Sequence, residues 1–388
     1  MKAASIGDLR TLARKRLPRV LFDMVDGAAF SEKTHAENGR AFDDFWLQQR
    51  ALRGVSSVNL EVRLATGVAN MPIILAPIGL AGLLAARGEI QACEAASQAG
   101  IPACLSTFSV CTIEDVAKSA APPWFQLYLL NDRSIAEDLL RRAAAAGSNT
   151  VILTVDSAVG SIRERDVRNG IAATSRLSLA TLFDLLTHAR WALDHVRCPP
   201  RKLGNLPHDF APGASLLGQV ARAASQIDRS IGWTDVAWLR RNWKGQLLLK
   251  GILNPADAVE ALAMGADGII VSNHGGRQLD GAAPSIRMLP HIRKAVGPDA
   301  TVYLDGGVTR GNHVLKALAK GADAVLIGRA YAYGLGAAGK AGVTDALTML
   351  RREMEVTMSL MGIASVEELK AEAAELIYSK QPDCGTPD

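Results

Sequence analysis

The stretch Ile269-Ile270-Val271-Ser272-Asn273-His274-Gly275-Gly276-Arg277-Gln278-Leu279-Asp280-Gly281 holds groups able to do acid–base chemistry on an anion. The imidazole of His274 can take a proton from a bound molecule. Arg277, three residues on, presents a planar fork of donors that suits a carboxylate. Gly275 and Gly276 allow backbone conformations closed to other residues and let a ligand come close. In front of them, Gly268 to Val271 reads as a strand buried on both faces. An isolated His-Gly-Gly-Arg run is more often a polar surface turn, so its meaning rests on the rest of the chain.

That rest has a rhythm. Apolar strands are expected at Ile73–Pro77, Ala103–Ser106, Trp124–Leu129, Thr150–Val155, Leu247–Lys250, Gly268–Ser272, Thr301–Asp305 and Ala324–Ile327. Between them lie helical stretches with stop glycines, such as Gly88–Ala99 before Gly100 and Asp132–Ala146 before Gly147. Strands alternating with helices of this length predict an α/β fold of parallel βαβ units. Eight of them predict a closed (β/α)8 TIM barrel; an open doubly wound sheet is the alternative, but no GxGxxG follows the first strand. In such barrels chemistry sits where the strands end. Here the ends read Ala76-Pro77, Ser106-Thr107, Gln126-Leu127-Tyr128, Thr154-Val155-Asp156, Lys250-Gly251, Ser272-Asn273-His274, Asp305-Gly306-Gly307 and Gly328-Arg329. A ring of polar groups on otherwise apolar strands marks one mouth as the site. The glycines and Arg329 closing strands seven and eight fit a phosphate.

Around this barrel, residues 1–70 are expected to form an N-terminal helical cap, 72–156 the first barrel half and 157–245 a long loop insertion after strand four. Residues 246–345 would form the second half and 346–388 C-terminal helices, all in one domain spanning 1–388. The composition is that of an ordinary globular protein, 48% hydrophobic and 21% charged, with a net charge of +4. No basic run with interleaved aromatics points to nucleic acid. The five cysteines, Cys93, Cys104, Cys111, Cys198 and Cys384, show no metal or disulfide spacing, which predicts no metal site and a reducing, cytoplasmic compartment. The basic N-terminus lacks the apolar core of a secretory signal, and Met71–Ala86 is too short and too rich in Pro and Gly to span a membrane.

These residues resemble the FMN-dependent 2-hydroxy-acid dehydrogenases and oxidases, among them L-lactate dehydrogenase, mandelate dehydrogenase and glycolate oxidase. The likeness covers essentially the whole chain, and Ser272–Gly281 looks like the family signature. Leu75–Leu80, Trp124–Tyr128 and Gly336–Gly342 look nearest to the bacterial L-lactate dehydrogenase branch. The resemblance implies an FMN cofactor held by Ala76, Pro77, Gly79, Ser106, Gln126, Thr154, Lys250, Ser272, Asp305, Gly306, Gly307, Gly328 and Arg329. It implies His274 as catalytic base oriented by Asp156, with Lys250 beside the flavin. Arg277 and Arg163 would clamp the substrate carboxylate, Tyr128 would hydrogen-bond the substrate, and Met24 and Phe108 would line its pocket. It further implies a homotetramer or larger, and a quinone, another carrier or O2 as electron acceptor. Gly79, where many oxidases carry Ala, favours a dehydrogenase.

Three positions depart from the family pattern. Met24 stands where a carboxylate-binding Tyr is usual, and Met cannot donate a hydrogen bond. The run Asp156-Ser157-Ala158-Val159-Gly160-Ser161-Ile162-Arg163 lacks the usual proline and later glycine. Thr309 replaces an arginine of the phosphate site, with Arg310 next to it as a candidate substitute. Met24 keeps open a non-standard substrate, such as a modified peptide or amine, beside L-lactate or a bulkier 2-hydroxy acid; a non-catalytic flavin-binding protein is the remaining alternative. The stretch 167–230 mixes Leu177, Leu179, Leu182, Leu185, Leu186, Trp191 and Leu193 with Arg176, Arg190, Arg197, Arg201 and Lys202. That pattern fits either a peripheral contact with the inner membrane face or an active-site lid or interface helix.

Overall fold

The computed structural model describes residues 2–170, 184, 187–198, 202–207 and 210–379. Of the expected insertion residues, Arg176, Leu177, Leu179, Leu182, Leu185, Leu186 and Arg201 lie outside these, as does Cys384.

Eight strands build the core: β1 (Ile73–Leu75), β2 (Cys104–Ser106), β3 (Trp124–Leu127), β4 (Thr150–Thr154), β5 (Gln246–Ile252), β6 (Gly268–Val271), β7 (Thr301–Leu304) and β8 (Ala324–Ile327). From β2 to β8 each pairs in parallel with the next, and β8 pairs with β1. A parallel bridge between Leu75 and Ala103 joins β1 to β2, so the barrel is nearly closed. Most of the strand residues are buried, as continuous apolar runs require when helices cover the outside. The register then does functional work. Ser106 faces Gln126, and Thr154 faces Lys250. Val271 faces Leu304, which sets Ser272 and Asp305 side by side one residue further on.

The helices are α1 (Ile6–Arg16), α2 (Arg19–Asp26), α3 (Lys33–Arg40), α4 (Gly88–Ala99), α5 (Ile113–Ser119), α6 (Arg133–Ala145), α7 (Glu164–Arg168), α8 (Ala189–Arg197), α9 (Leu216–Ser225), α10 (Trp233–Asn242), α11 (Pro255–Ala263), α12 (Ser285–Val296), α13 (Gly311–Ala319), α14 (Arg329–Met361) and α15 (Val366–Ala371). Side-chain caps start several of them: Thr112 accepts from Asp115 N at 3.0 Å, Asp132 from Ser134 N at 2.9 Å and Asn254 from Ala256 N at 2.8 Å.

Three segments differ in detail from the sequence expectation. The insertion carries helices rather than loop alone, and α10, which ends just before β5, closes the fourth βα unit. After β8, α14 extends past residue 345 but is interrupted at Ala338–Gly339, where the backbone leaves helical values. The turn folds α14 on itself, so a Cβ on Gly342 would lie 2.0 Å from the Gly334 carbonyl oxygen. Only glycine permits that approach, which accounts for Gly334 and Gly342. The N-terminal segment also holds strands. Phe45–Leu47 pairs antiparallel with Ile377–Ser379, and Val62–Leu64 with Gly67–Ala69.

Candidate active site

The strand ends deliver their polar groups into one cavity of about 340 Å³. It is lined by Ala76, Pro77, Gly79, Ser106, Gln126, Tyr128, Thr154, Lys250, His274, Arg277, Asp305, Gly306, Gly307, Gly328 and Arg329, and by Met24, Phe108 and Arg163. Ser272 is buried beside it. Asp156 reaches the site through His274 and Lys250.

At the centre is a carboxylate–imidazole pair. Asp156 Oδ1 lies 2.8 Å from His274 Nδ1. A carboxylate can only accept, so Nδ1 carries the hydrogen and Nε2 is left as the acceptor of the ring. Burial opposes the Asp156 charge, but His274 and Lys250 outweigh it and hold the carboxyl pKa down to about 2. His274 itself has left-handed backbone at φ 57°, followed by Gly275 at 63° and Gly276 at 75°. Such a run is costly and persists only where its surroundings fix it. Here Asn273 Oδ1 accepts from Gly276 N at 3.1 Å, while Asn38 and Asn273 exchange amide hydrogen bonds at 2.8 and 2.7 Å.

Lys250 is buried. Its ammonium donates to Ser272 Oγ at 3.0 Å and pairs with Asp305 Oδ2 at 3.2 Å, with Asp156 Oδ2 at 4.0 Å. Burial alone would depress its pKa, but the two carboxylates overcome this and raise it, so the ammonium is a fixed charge. Arg277 is different. Its guanidinium donates to Gly27 O at 2.8 Å and has no carboxylate in ion-pair contact among the described residues. Burial, with Arg163 and Arg329 close by, pushes its pKa down to about 9. A cation so placed invites an anionic ligand. Tyr128 stacks on Phe108 at 5.1 Å between ring centres, and burial together with the Asp156 charge raises its pKa.

Some expected residues sit otherwise than their assigned roles suggest. Arg163 lines the cavity but its Nε is engaged by Asp166 at 2.5 Å. Arg329 donates to three carbonyls, Val25 at 3.0 Å, Gly275 at 2.8 Å and Gly27 at 2.9 Å, so its fork ties α2 to the His-Gly-Gly turn. Arg310 pairs with Glu353 at 3.3 Å, is half exposed and does not line the cavity. In this arrangement it points away from the place at 309 where the family arginine is expected. Sequence reasoning also passed over Ser157, Asn38, His35 and Val220. Thr34 and Asn38 one turn apart on a polar helix were a usable signal; Val220, in the insertion, offered none.

A barrel that gathers a proton acceptor, an unpaired cation and a cofactor-sized cavity at one mouth is built for chemistry on a small anion beside a bound cofactor. The model of the FMN-dependent dehydrogenases matches residues 13–376. L-lactate dehydrogenase of Caulobacter vibrioides is 47% identical over 375 residues, covering 95% of this chain and 97% of that protein. The enzyme of the same name from Pseudomonas syringae pv. syringae is 45% identical over 377 residues, covering 96% and 98%. Among solved structures, the monotopic membrane protein (S)-mandelate dehydrogenase superposes with a TM-score of 0.92 at 36% identity, over 98% of this chain and all of that one. Mandelate oxidase with (S)-4-hydroxymandelic acid gives 0.84 at 34%, over 97% and 99%. The chain therefore belongs to the FMN-dependent α-hydroxy acid dehydrogenase family and is an enzyme of that kind.

The cavity suits FMN. The Gln126 amide nitrogen, the Thr154 hydroxyl and Asp305 Oδ1 are buried without a hydrogen-bond partner among the described residues. Buried polar atoms are rarely left so, and a flavin ring and ribityl chain would satisfy them. Gly307, at φ 79°, approaches α3 so closely that a Cβ would lie 2.3 Å from Asn38 O. Its bare backbone would be open to the phosphate end of the cofactor.

Proposed function

We propose that this enzyme oxidises an (S)-2-hydroxy acid with an apolar side chain, L-lactate or a larger homologue, to the 2-oxo acid, and passes the electrons to a quinone or other carrier rather than O2. The observation that carries this reading is Arg277, a cation without a carboxylate partner among the described residues, beside the Asp156–His274 pair. FMN, when bound, supplies the two-electron acceptor. Ser106, Gln126, Thr154, Lys250 and Ser272 would hold its ring side, and Asp305, Gly306, Gly307 and Gly328 its ribityl and phosphate end. Arg277 fixes the substrate carboxylate, with Arg163 at the outer side. His274 Nε2 takes a proton, and Asp156 stabilises the imidazolium. The Tyr128 hydroxyl donates to the substrate oxygen. Lys250 places positive charge where negative charge would grow.

Met24, Phe108 and Val220 share the cavity wall, which favours an apolar substituent on the acid. The relatives' names favour L-lactate; the structure of mandelate oxidase with (S)-4-hydroxymandelic acid supports room for an aromatic ring in the same fold. A peripheral membrane location is part of the proposal. No helix among the described residues is long and apolar enough to cross a membrane. Yet α8 exposes Leu193 and Val196, at 61% and 76%, between the exposed Arg190 and Arg197. The test is an anaerobic visible spectrum of the flavin-loaded protein, with L-lactate, (S)-mandelate and longer 2-hydroxy acids added in turn. Bleaching by one of them supports the reading and sizes the pocket. A flavin that none reduces would move a non-standard substrate to first place.

A further inference from the structure

The Asp156 carboxylate has two cations to choose between. Oδ1 faces His274 Nδ1 at 2.8 Å, whereas Oδ2 has no hydrogen-bond partner among the described residues and lies 4.0 Å from the Lys250 ammonium. Carboxylate torsions are broad, and a turn toward Lys250 would trade the imidazole contact for a closer ion pair with a permanent charge. Something must hold the carboxylate on the histidine side. Ser157 is the next residue in the chain and is buried, with Oγ 3.0 Å from Asp156 Oδ1 and 3.5 Å from His274 Nδ1. Because a carboxylate only accepts, the serine hydroxyl donates to it. On the far side Gly251 leaves room, since a Cβ there would lie 2.6 Å from Asp156 Cβ.

We propose that Ser157 is a positioning residue for the base: its hydroxyl holds Asp156 Oδ1 toward His274 and away from Lys250. Ser157 itself is not among the residues that line the cavity. The rate part of the test rests on the proposed role of His274; the spectroscopic part does not.

Ser157→Thr and Ser157→Val are nearly the same shape and differ in the hydroxyl. On the FMN-loaded protein, the low-field proton resonance of His274 Nδ1–H, identified by its loss in His274→Gln, reports the contact with Asp156 without substrate. It should stay in place in Ser157→Thr and move upfield or vanish in Ser157→Val. The rate of flavin reduction at saturating acid should fall about tenfold in Ser157→Val and recover in Ser157→Thr. A resonance unmoved or shifted downfield in Ser157→Val would overturn the proposal, as would equal rate losses in both variants. If Ser157→Val does not load FMN, Ser157→Ala takes its place in the same comparison. A wild-type flavin that no 2-hydroxy acid reduces would sink the functional reading instead, with the resonance still deciding Ser157.

Discussion

Asp156→Asn tests the proposed chemistry most directly. The substitution keeps the shape of the side chain and removes its charge. What is lost is a hydrogen bond of 2.8 Å to an imidazole that must become positive during turnover. Bonds to charged partners are worth about 1.5–3 kcal/mol, and about 1.36 kcal/mol is a factor of ten, so this alone predicts a loss of roughly 10- to 150-fold. A second effect adds to it. An asparagine amide can donate as well as accept, and if it donates to Nδ1 the ring hydrogen moves to Nε2, where the base is needed; wrong-tautomer losses in other His–Asp pairs reach about 10⁴. The expected fall in flavin reduction is therefore about 10²- to 10⁴-fold. Flavin loading should survive, because Lys250 keeps Asp305 at 3.2 Å and Ser272 at 3.0 Å. Anaerobic rapid mixing with the best acid, at saturation, measures the step. A rate within about threefold of wild type with FMN fully bound would refute the assignment of His274 and Asp156.

Three further outcomes follow from the geometry. Met24→Tyr adds a donor at the cavity wall and should lower KM for L-lactate about tenfold with little change in kcat, read by steady-state assay with an artificial acceptor; an unchanged KM would place Met24 away from the carboxylate. Gly307→Ala meets Asn38 O at 2.3 Å and should weaken FMN binding to the apoprotein by at least tenfold, followed by flavin fluorescence, with equal affinity counting against the phosphate cradle. Acid should unfold the protein steeply. Asp156 is held down to about 2, and Arg10, Tyr333 and Arg165 hold Asp26 below its ordinary range against the cost of burial. A lowered folded pKa gives stability that is fully present above the ordinary carboxyl value of 3.8 and is lost as pH falls through the folded value. Melting temperature should accordingly hold from neutrality to about pH 5 and drop between about pH 4 and 2, and Asp26→Asn should flatten part of that drop while lowering the plateau.

The barrel was legible because each strand is a short apolar run followed by a polar end and a glycine-stopped helix. Nothing in those signals depends on distant contacts. The residues of the mouth were legible for the same reason, since in this fold the last residue of a strand is also the first of the site. What could not be read depends on pairings far apart in the chain. Phe45–Leu47 finds its partner at Ile377–Ser379, more than three hundred residues away, and no local pattern marks either as a strand. Arg329 sits at a strand end as expected, but the carbonyls of Val25, Gly27 and Gly275 claim its fork, and two of these belong to the N-terminal segment. Arg310 was judged by proximity in sequence, whereas the start of α13 turns it outward to Glu353. Ser157 shows the limit best: its type and neighbour were visible, but its effect depends on Lys250 pulling from the other side.

The two kinds of cation at the mouth are held by two different means, and the difference has a chemical sense. Lys250 sits between carboxylates, which neutralise it locally and fix its position. Arg277 and Arg329 are held by carbonyl oxygens, and both fasten on Gly27 O. A carbonyl orients a guanidinium without cancelling its charge, so the positive potential stays available to an incoming anion. Had carboxylates done the holding, a substrate carboxylate would have to displace them and each pair broken would leave a buried charge. Using the end of α2 instead places Met24 and Val25 at the cavity wall by the same bonds that orient the clamp. The N-terminal helices are in this sense part of the site: loosening α2 should weaken substrate capture before it disturbs the barrel.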